Sequence, residues 1–200
     1  MKEHTNGIEV GVQIRKLLLQ SNLPRKVMLE DFDFSGQHSF SARAMEELAA
    51  GRCLDRNESI LIFGPAGSGK THLAATLGRR WCAAGLSVYF EKAHVLARKV
   101  CCTESYKKYD DFQALILDDL SAIFSHQRFD GLLDLLQHRR RSVVITTQLD
   151  LYKWEALVKR SNAAGSPLDR ILERAYIVQL DGSCLYRARP RAPLHLPPIS

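Results

Sequence analysis

Five short runs of apolar or β-branched residues alternate with segments whose apolar residues recur at helical spacing. The runs cover residues 59–63, 87–90, 114–117, 143–148 and 176–180. Continuous runs of this kind are typical of strands that are buried on both faces of a parallel sheet. Helices are predicted over residues 12–19, 41–51, 70–84, 93–100, 129–140, 151–159 and 167–174. The alternation predicts an α/β fold in which helices cover both sides of a five-stranded parallel sheet, giving a three-layer sandwich.

The chain length predicts one main domain. The sequence has 200 residues, which suffice for one domain with a buried sheet and leave little for a second. We predict that residues 28–189 form this domain, with no separate lid domain after it. Residues 1–27 contain the first predicted helix and form a short N-terminal segment. Residues 190–200 are rich in proline and contain no acid, so we expect a disordered tail.

The composition is that of a globular protein without a membrane segment. Hydrophobic residues make up 46% of the chain, yet no run of roughly 18 uncharged apolar residues occurs. The N-terminus is polar where a signal peptide would be apolar, so a cytoplasmic location is expected. The five cysteines include no C-x-x-C pair. This spacing disfavours a zinc site or a disulfide framework and favours reduced thiols.

A Gly-x-x-x-x-Gly-Lys-Thr motif directly follows the first predicted strand and precedes a predicted helix. Its glycines allow backbone N–H groups to turn toward a phosphate, and the start of the helix adds a partial positive charge. A chance match to the motif has no reason to lie between a strand and a helix. This sequence predicts both elements, which favours a nucleotide-binding loop. The residues predicted to bind a nucleoside triphosphate are Gly64, Pro65, Ala66, Gly67, Ser68, Gly69, Lys70, Thr71 and His72.

The end of this motif and a pair of acids together predict a magnesium site. Lys70 is expected to reach the β- and γ-phosphates, and the Thr71 hydroxyl is placed to ligate Mg²⁺. Asp118 and Asp119 follow the third apolar run, and parallel strands deliver such acids to the carboxyl edge of a sheet. We predict that Asp118 holds Mg²⁺ and that Asp119 orients or deprotonates an attacking water. The alternative is a pair of capping acids at a strand-to-loop junction.

The fourth apolar run ends in Thr146, Thr147 and Gln148. A polar side chain at this edge of the sheet could reach the γ-phosphate and the attacking water. Thr147 and Gln148 are both predicted for this role, and the residue pattern does not choose between them. The alternative is that these are ordinary strand-end residues.

Arg170 is a further catalytic candidate. Phosphoryl transfer spreads negative charge over the γ-phosphate oxygens, and an arginine from a neighbouring subunit can stabilise that charge. Hydrolysis would then depend on assembly of the subunits. The alternative is a surface salt bridge from Arg170 to Asp169 or Glu173 on the same helix.

The basic residues are unevenly distributed along a chain of net charge +6. They form three clusters, at residues 79–80, at residues 138–141, and at Arg187, Arg189 and Arg191. Separate basic clusters favour a polyanionic partner such as DNA. The alternative for residues 138–141 is a solvated helix end whose cations complement the helix dipole.

Taken in order, these motifs resemble the IstB-like transposition helper ATPases and the related DnaC-like helicase loaders of the AAA+ class. The matching stretches are residues 29–34, 64–74, 117–120, 146–154, 168–172 and 182–187. Together they cover about residues 28–189. Gln148 stands where the family usually has asparagine, and Ser121 stands where glycine is usual. The segment 182–187 has one extra residue, and the N-terminal region is shorter than in the family.

The resemblance implies an AAA+ ATPase domain of the P-loop NTPase class over residues 28–189, with ATP and Mg²⁺ as its nucleotide and metal. It also implies ATP-dependent homo-oligomers that bind DNA without sequence preference and act on a transposase or a replicative helicase. In this family Arg170 would be the finger into the next subunit's site, and Phe32 and Phe34 would lie near the base.

Three alternatives to a transposition helper remain from the sequence. One is a DnaC-like replicative helicase loader, and another is an ATP-binding interaction module with little turnover. The third is a small-molecule kinase, which would need an arginine-bearing lid over its acceptor substrate. No Gly/Arg-rich insertion of that kind separates the later predicted strands.

Overall fold

The computed structural model describes residues 2–25, 27, 41–100, 103–123, 130–149, 152–154 and 167–180. Several sequence predictions fall outside these residues and stay predictions. They concern Phe32 and Phe34 in the segment 29–34, the cysteines 101, 102 and 184, the segment 182–187, the arginines 187, 189 and 191, and the tail 190–200.

Five parallel strands form one sheet in the order β2-β3-β4-β1-β5. The strands are β1 Ser59–Phe63, β2 Val88–Lys92, β3 Ala114–Asp118, β4 Ser142–Thr147 and β5 Ala175–Gln179. Each corresponds to one of the five apolar runs, so the predicted five-stranded parallel sheet is confirmed. Because all strands run in one direction, everything that follows a strand's last residue meets at one edge of the sheet.

The helices agree with the predicted pattern at most positions. They are α1 Lys2–Gln20, α2 Ala42–Ala49, α3 Arg52–Asp55, α4 Lys70–Ala83, α5 Ala93–Lys99, α6 Thr103–Asp110, α7 Asp130–His138 and α8 Pro167–Glu173, with a 3-10 turn at Leu120–Ile123. The predicted helix 41–51 corresponds to α2, and the short α3 follows after its predicted end. Of the predicted helix 151–159, only residues 152–154 are described, and they are helical.

Two helices differ from the sequence predictions. α1 begins at Lys2 rather than near residue 12, because its first turns are polar and carry no apolar stripe that a periodicity argument could find. α6, Thr103–Asp110, was not predicted at all. Its sequence is almost wholly polar, and Tyr109 is its one buried side chain among those described. Such a helix depends on packing rather than on its own pattern.

The helices cover both faces of the sheet, which confirms the three-layer sandwich. On one face, Ile60, Ile62 and Val144 pack with α1, α2 and α4. On the other face, Leu61 and Ile145 pack with α5, α7 and α8. Neighbouring residues of one strand therefore enter different cores, and this is why the runs are apolar without alternation.

The segment after α1 lies along the edge of the sheet. The backbone N–H of Phe90 in β2 donates to the Ser21 carbonyl at 2.8 Å, and the Asn22 side-chain amide donates to the Phe90 carbonyl at 2.9 Å. Arg79 of α4 donates to the carbonyl of Pro24 at 2.7 Å. These bonds satisfy backbone groups on an edge strand that would otherwise be open. The predicted domain boundary between residues 27 and 28 stays a prediction.

Among the described residues, the helices do not include one with the length and apolar character needed to cross a bilayer.

Arg139 anchors the amino edge of the sheet, where β3 and β4 begin, from inside the protein. Its side chain is fully buried, and its guanidinium donates to the carbonyls of Tyr109 and Phe112, both at 2.7 Å, and of Ser142 at 3.1 Å. Burial lowers the pKa of this guanidinium to about 10, while Asp110 at 3.7 Å acts in the opposite direction. One side chain therefore joins the end of α6, the approach to β3 and the start of β4.

We expect Arg139→Met to lower the free energy of unfolding by about 2–4 kcal/mol, because backbone carbonyls that stay buried lose their donor. Equilibrium unfolding in urea measures the change. The matched control is Arg140→Met, which removes the neighbouring exposed arginine and should cost less than about 0.5 kcal/mol. Equal stabilities for the two variants would contradict the anchoring role of Arg139.

Candidate nucleotide-binding site

The phosphate-loop motif joins β1 to α4 at the carboxyl edge of the sheet. Gly69 has φ +90°, a left-handed conformation that favours glycine, and it is the residue from which α4 begins. At Gly64, a Cβ atom would lie 2.3 Å from the Leu180 carbonyl oxygen, so only glycine fits against the end of β5. The Gly64 N–H donates to the Thr147 carbonyl at 3.3 Å. The loop is thus held between the ends of β4 and β5.

Lys70 places a buried cation beneath this loop. It is 8% exposed, and its Nζ donates to the Pro65 carbonyl at 2.6 Å. Burial lowers the pKa of the Lys70 ammonium, and the charges of Asp119 and Asp118 oppose that shift. The other two N–H groups of the ammonium have no acceptor among the described residues. This leaves a donor pair that suits an anionic ligand such as a phosphate.

Asp118 joins the loop helix to the two central strands. One of its oxygens, Oδ1, accepts hydrogen bonds from the Thr71 hydroxyl at 2.8 Å and from the Thr146 hydroxyl at 2.7 Å. Asp118 is 3% exposed. The predicted neighbours Thr71 and Asp118 are therefore in direct contact, and their hard oxygen atoms fit the ligand preference of Mg²⁺.

Asp119 has an unusual backbone and an unsatisfied side chain. Its φ of +54° lies in the left-handed region, which a residue with a Cβ adopts at a cost. The Asp119 N–H donates to the Thr146 hydroxyl at 2.8 Å, which holds this conformation. Its Oδ1 atom is buried and has no hydrogen-bond partner among the described residues. A strained backbone beside an unpartnered buried oxygen is typical of a functional site, and the Ser68 hydroxyl is unpartnered in the same way.

The end of β4 distinguishes the two residues that the sequence left open. Thr147 is fully buried, and its hydroxyl accepts from the Leu149 N–H at 3.1 Å and lies 3.0 Å from the Ser121 hydroxyl. The Gln148 side chain is exposed at the same edge. The structure therefore favours Gln148 for contact with a ligand, and the Thr147 hydroxyl is engaged within the protein.

Two further side chains of this edge were not predicted as site residues. Thr146 bonds both acids, and Ser121 bonds the end of β4. The sequence showed Thr146 as one of three polar residues that end the strand and Ser121 as a departure from the family pattern. Their contacts depend on the pairing of β3 with β4, which residue spacing alone does not reveal.

Arg170 lies at the other edge of the sheet. Its Nη2 donates to the carbonyls of Leu136 at 2.7 Å and Arg139 at 3.2 Å, at the C-terminal end of α7. It lines a cavity together with Ser59, the first residue of β1, and Val143, the second residue of β4. Neither Asp169 nor Glu173 forms an ion pair with Arg170 among the described residues, so the predicted alternative of a salt bridge is wrong.

The last member of the predicted loop set, His72, lies half-buried in the first turn of α4. Pro65, Ala66 and Gly67 are exposed along the loop. The structure thus brings the loop, Asp118, Asp119 and Gln148 together at one edge. Arg170 alone among the predicted site residues is separated from them by the length of the strands.

The strand order, the phosphate loop and the paired acids define a P-loop NTPase domain of the AAA+ class. Solved structures share this fold. DnaI aligns with a TM-score of 0.60 at 20% identity over 84% of this chain and 95% of its own. The DnaC helicase loader aligns with a TM-score of 0.52 at 17% identity over 69% of this chain and 86% of its own.

The model of a family described as IstB-like ATP binding protein matches residues 9–192, and the chain belongs to this family. One relative is named as an ATP-binding protein of insertion sequence IS5376 from Geobacillus stearothermophilus. It is 30% identical over 190 residues, which cover 89% of this chain and 74% of the relative. The resemblance stated from the sequence motifs is confirmed, and it supports ATP as the nucleotide.

We predict that the two acids fail in different ways when each becomes an amide. Asp118→Asn should weaken Mg²⁺-dependent nucleotide binding by about tenfold or more, because it removes the charge of a carboxylate that is predicted to ligate the metal. Asp119→Asn should keep ATP affinity within about threefold and lower turnover by about 100-fold. Binding of a fluorescent ATP analogue, with and without Mg²⁺, and phosphate release measure the two effects.

The control for the acid variants is Asp55→Asn, which neutralises an exposed acid on α3. It should leave affinity and turnover unchanged. The same defect in Asp118→Asn and Asp119→Asn would show that the two acids do not divide the work.

Proposed function

We propose that this chain is an ATP-hydrolysing helper of DNA transposition, which assembles on DNA with ATP bound and acts with a transposase. The observation that carries the proposal is the contact of Thr71 with Asp118 next to the unpartnered oxygen of Asp119, directly beside the phosphate loop. A metal ligand pair and a free carboxylate in one place are what hydrolysis of a triphosphate requires.

The insertion-sequence relative supports transposition over helicase loading. That relative is 30% identical to the chain over most of its length. The helicase loader DnaC is 17% identical, and at that level the likeness extends to the fold alone. A DnaC-like loading activity therefore remains an alternative that only the shared fold favours.

Each site residue has a distinct part in the proposed hydrolysis. The loop N–H groups and Lys70 bind the phosphates, and Thr71 with Asp118 would hold Mg²⁺. The metal would neutralise charge on the phosphate oxygens when bound. Asp119 orients the attacking water and accepts its proton, and Gln148 donates its side-chain amide to the water or the γ-phosphate. The buried position of Lys70 keeps its charge unscreened by bulk water.

Arg170 is proposed to act on the site of a neighbouring subunit. It lies at the amino edge of the sheet, whereas its own phosphate loop lies at the carboxyl edge, so it cannot serve its own nucleotide. Its Nη2 is fixed by two carbonyls of α7, while its Nε and Nη1 have no acceptor among the described residues. The guanidinium is thus fixed at one nitrogen, and Arg170 lines a cavity of about 100 Å³.

Turnover tests the proposed function directly. We expect the protein to release phosphate from ATP in the presence of Mg²⁺, and to do so faster with duplex DNA and a transposase from an insertion sequence of the relative's type. Nucleotide binding without phosphate release would instead indicate an interaction module. Transfer of the γ-phosphate to a small molecule would indicate a kinase.

Mixing two inactive variants tests the trans role of Arg170. Arg170→Ala should bind ATP within about threefold of the wild type and lose about 10³-fold in turnover. Lys70→Ala should lose turnover through its own nucleotide site. Mixed oligomers contain interfaces that join an intact site to an intact finger, so the mixture should recover part of the activity, measured as phosphate release.

The control for the mixing experiment is Arg52→Ala, an exposed arginine of α3 outside the cavity, which should remain active. A fully active Arg170→Ala, or a mixture without recovery, would leave Arg170 with its contacts to α7 as its only role.

The contacts and burial of the described arginines limit which of them could bind DNA. Arg79 donates to carbonyls, Arg80 pairs with Glu46 at 2.7 Å, and Arg139 is buried. The exposed arginines at the α7–β4 connection are Arg140 and Arg141, and Arg141 also donates to the Asp111 carbonyl at 3.2 Å while remaining exposed. We propose these two as phosphate contacts, because exposed guanidinium groups release counterions from DNA when they bind it.

We predict that retention on duplex DNA is independent of sequence and falls steeply as salt rises. Changing Arg140 and Arg141 to Gln should each lower the slope of log K against log salt by about 1. Arg80→Gln is the matched control and should leave the slope unchanged. Filter retention at low and moderate salt with ATP present measures this, and no retention of the wild type at low salt would exclude direct DNA binding.

A further inference from the structure

We propose that Ser121 is a positioning residue, which acts through Gln148 and joins it to the loop that carries Asp119. The proposal rests on the hydrolysis proposed above and assigns a residue to it that the motif comparison marked only as a departure. Ser121 lies in the 3-10 turn Leu120–Ile123, directly after the two acids.

The Ser121 hydroxyl bridges the ends of two neighbouring strands. Its Oγ accepts a hydrogen bond from the Gln148 backbone N–H at 2.7 Å. The same oxygen lies 3.0 Å from the Thr147 hydroxyl oxygen. One small side chain of the turn after β3 therefore contacts two consecutive residues at the end of β4.

The direction of the bond between the two hydroxyls follows from the other partners. The Thr147 hydroxyl already accepts from the Leu149 N–H at 3.1 Å, and Thr147 is fully buried. Ser121 Oγ is the one group described that can accept the Thr147 proton, so Thr147 donates to Ser121. Ser121 Oγ then accepts two hydrogen bonds, from Thr147 and from the Gln148 N–H, and Ser121 itself is half-buried.

A second bond makes this bridge rigid. The Asp119 N–H donates to the Thr146 hydroxyl at 2.8 Å, two residues before Gln148. The acid loop is thus attached to β4 at both Thr146 and Gln148. Because the Gln148 side chain itself has no protein partner among the described residues, its backbone anchor is what fixes its distance from Asp119.

An alanine at position 121 would remove this anchor without removing any group from the phosphate loop. The Gln148 N–H would lose its acceptor, and the buried Thr147 hydroxyl would lose the group to which it donates. We therefore expect Ser121→Ala to keep ATP affinity within about twofold and to lower kcat by about tenfold, which is the pattern of a lost transition-state interaction.

The experiment is a double-mutant cycle of Ser121→Ala and Gln148→Ala, with Ser121→Thr as a further single variant. If Ser121 acts through Gln148, the double variant Ser121→Ala with Gln148→Ala should turn over no more slowly than Gln148→Ala alone. Ser121→Thr retains the hydroxyl and should recover most of the wild-type kcat. Phosphate release and binding of a fluorescent ATP analogue separate kcat from affinity.

The matched control is Ser87→Ala. The Ser87 hydroxyl is half-buried like that of Ser121 and accepts from the Gln113 N–H at 3.1 Å, so this variant also removes a serine-to-backbone bond, but directly before β2 and β3 at the opposite edge of the sheet. It should leave kcat unchanged even where stability falls. An equal loss of kcat in Ser87→Ala and Ser121→Ala would assign both effects to the fold and overturn the proposal.

Amide exchange provides a readout that does not need turnover. A non-hydrolysable ATP analogue should slow exchange of the Gln148 N–H in the wild type and in Ser87→Ala, but not in Ser121→Ala. A wild type without turnover would overturn the proposed hydrolysis, and this exchange pattern would still decide whether Ser121 anchors Gln148. Wild-type kcat in Ser121→Ala, additive losses in the cycle or unchanged exchange would each overturn the role of Ser121.

Discussion

The carboxylate of Asp118 is the contact on which the organisation of the site depends. One oxygen accepts from Thr71 at the start of α4 and from Thr146 at the end of β4, while Asp118 itself ends β3. Three elements are thereby fixed around one buried charge. Because a buried carboxylate is costly unless it is hydrogen-bonded, these hydroxyls stabilise the fold and hold the proposed metal ligands in place at the same time.

The two edges of the sheet carry opposite chemistry. Acids and polar side chains gather at the carboxyl edge beside the phosphate loop, and arginines gather at the amino edge around the start of β4. Arg139 is buried there, and its carbonyl accepts from Arg170. This separation of Arg170 from the phosphate loop is what supports the proposed head-to-tail assembly, in which one subunit would complete the site of the next.

Much of the fold and of the site could be predicted because the signals are local. The apolar runs predicted every strand, and the Gly-x-x-x-x-Gly-Lys-Thr motif predicted the loop that joins β1 to α4. Residue spacing could not predict α6, whose sequence is largely polar and in which Tyr109 is the buried side chain among those described. It also could not show that Arg170 bonds backbone carbonyls instead of the acids on its own helix.

By itself the sequence determined the strand pattern, the phosphate loop, the acid pair and the family, since each is a property of neighbouring residues. Only the tertiary structure decided that the Gln148 side chain is exposed while Thr147 is buried, that Ser121 bonds the end of β4, and that Arg170 lies at the edge away from the phosphate loop. The physical reason is that these facts depend on which strands pair and which atoms are left without a partner. Pairing of β3 with β4 joins residues far apart in the chain, and no local pattern records it.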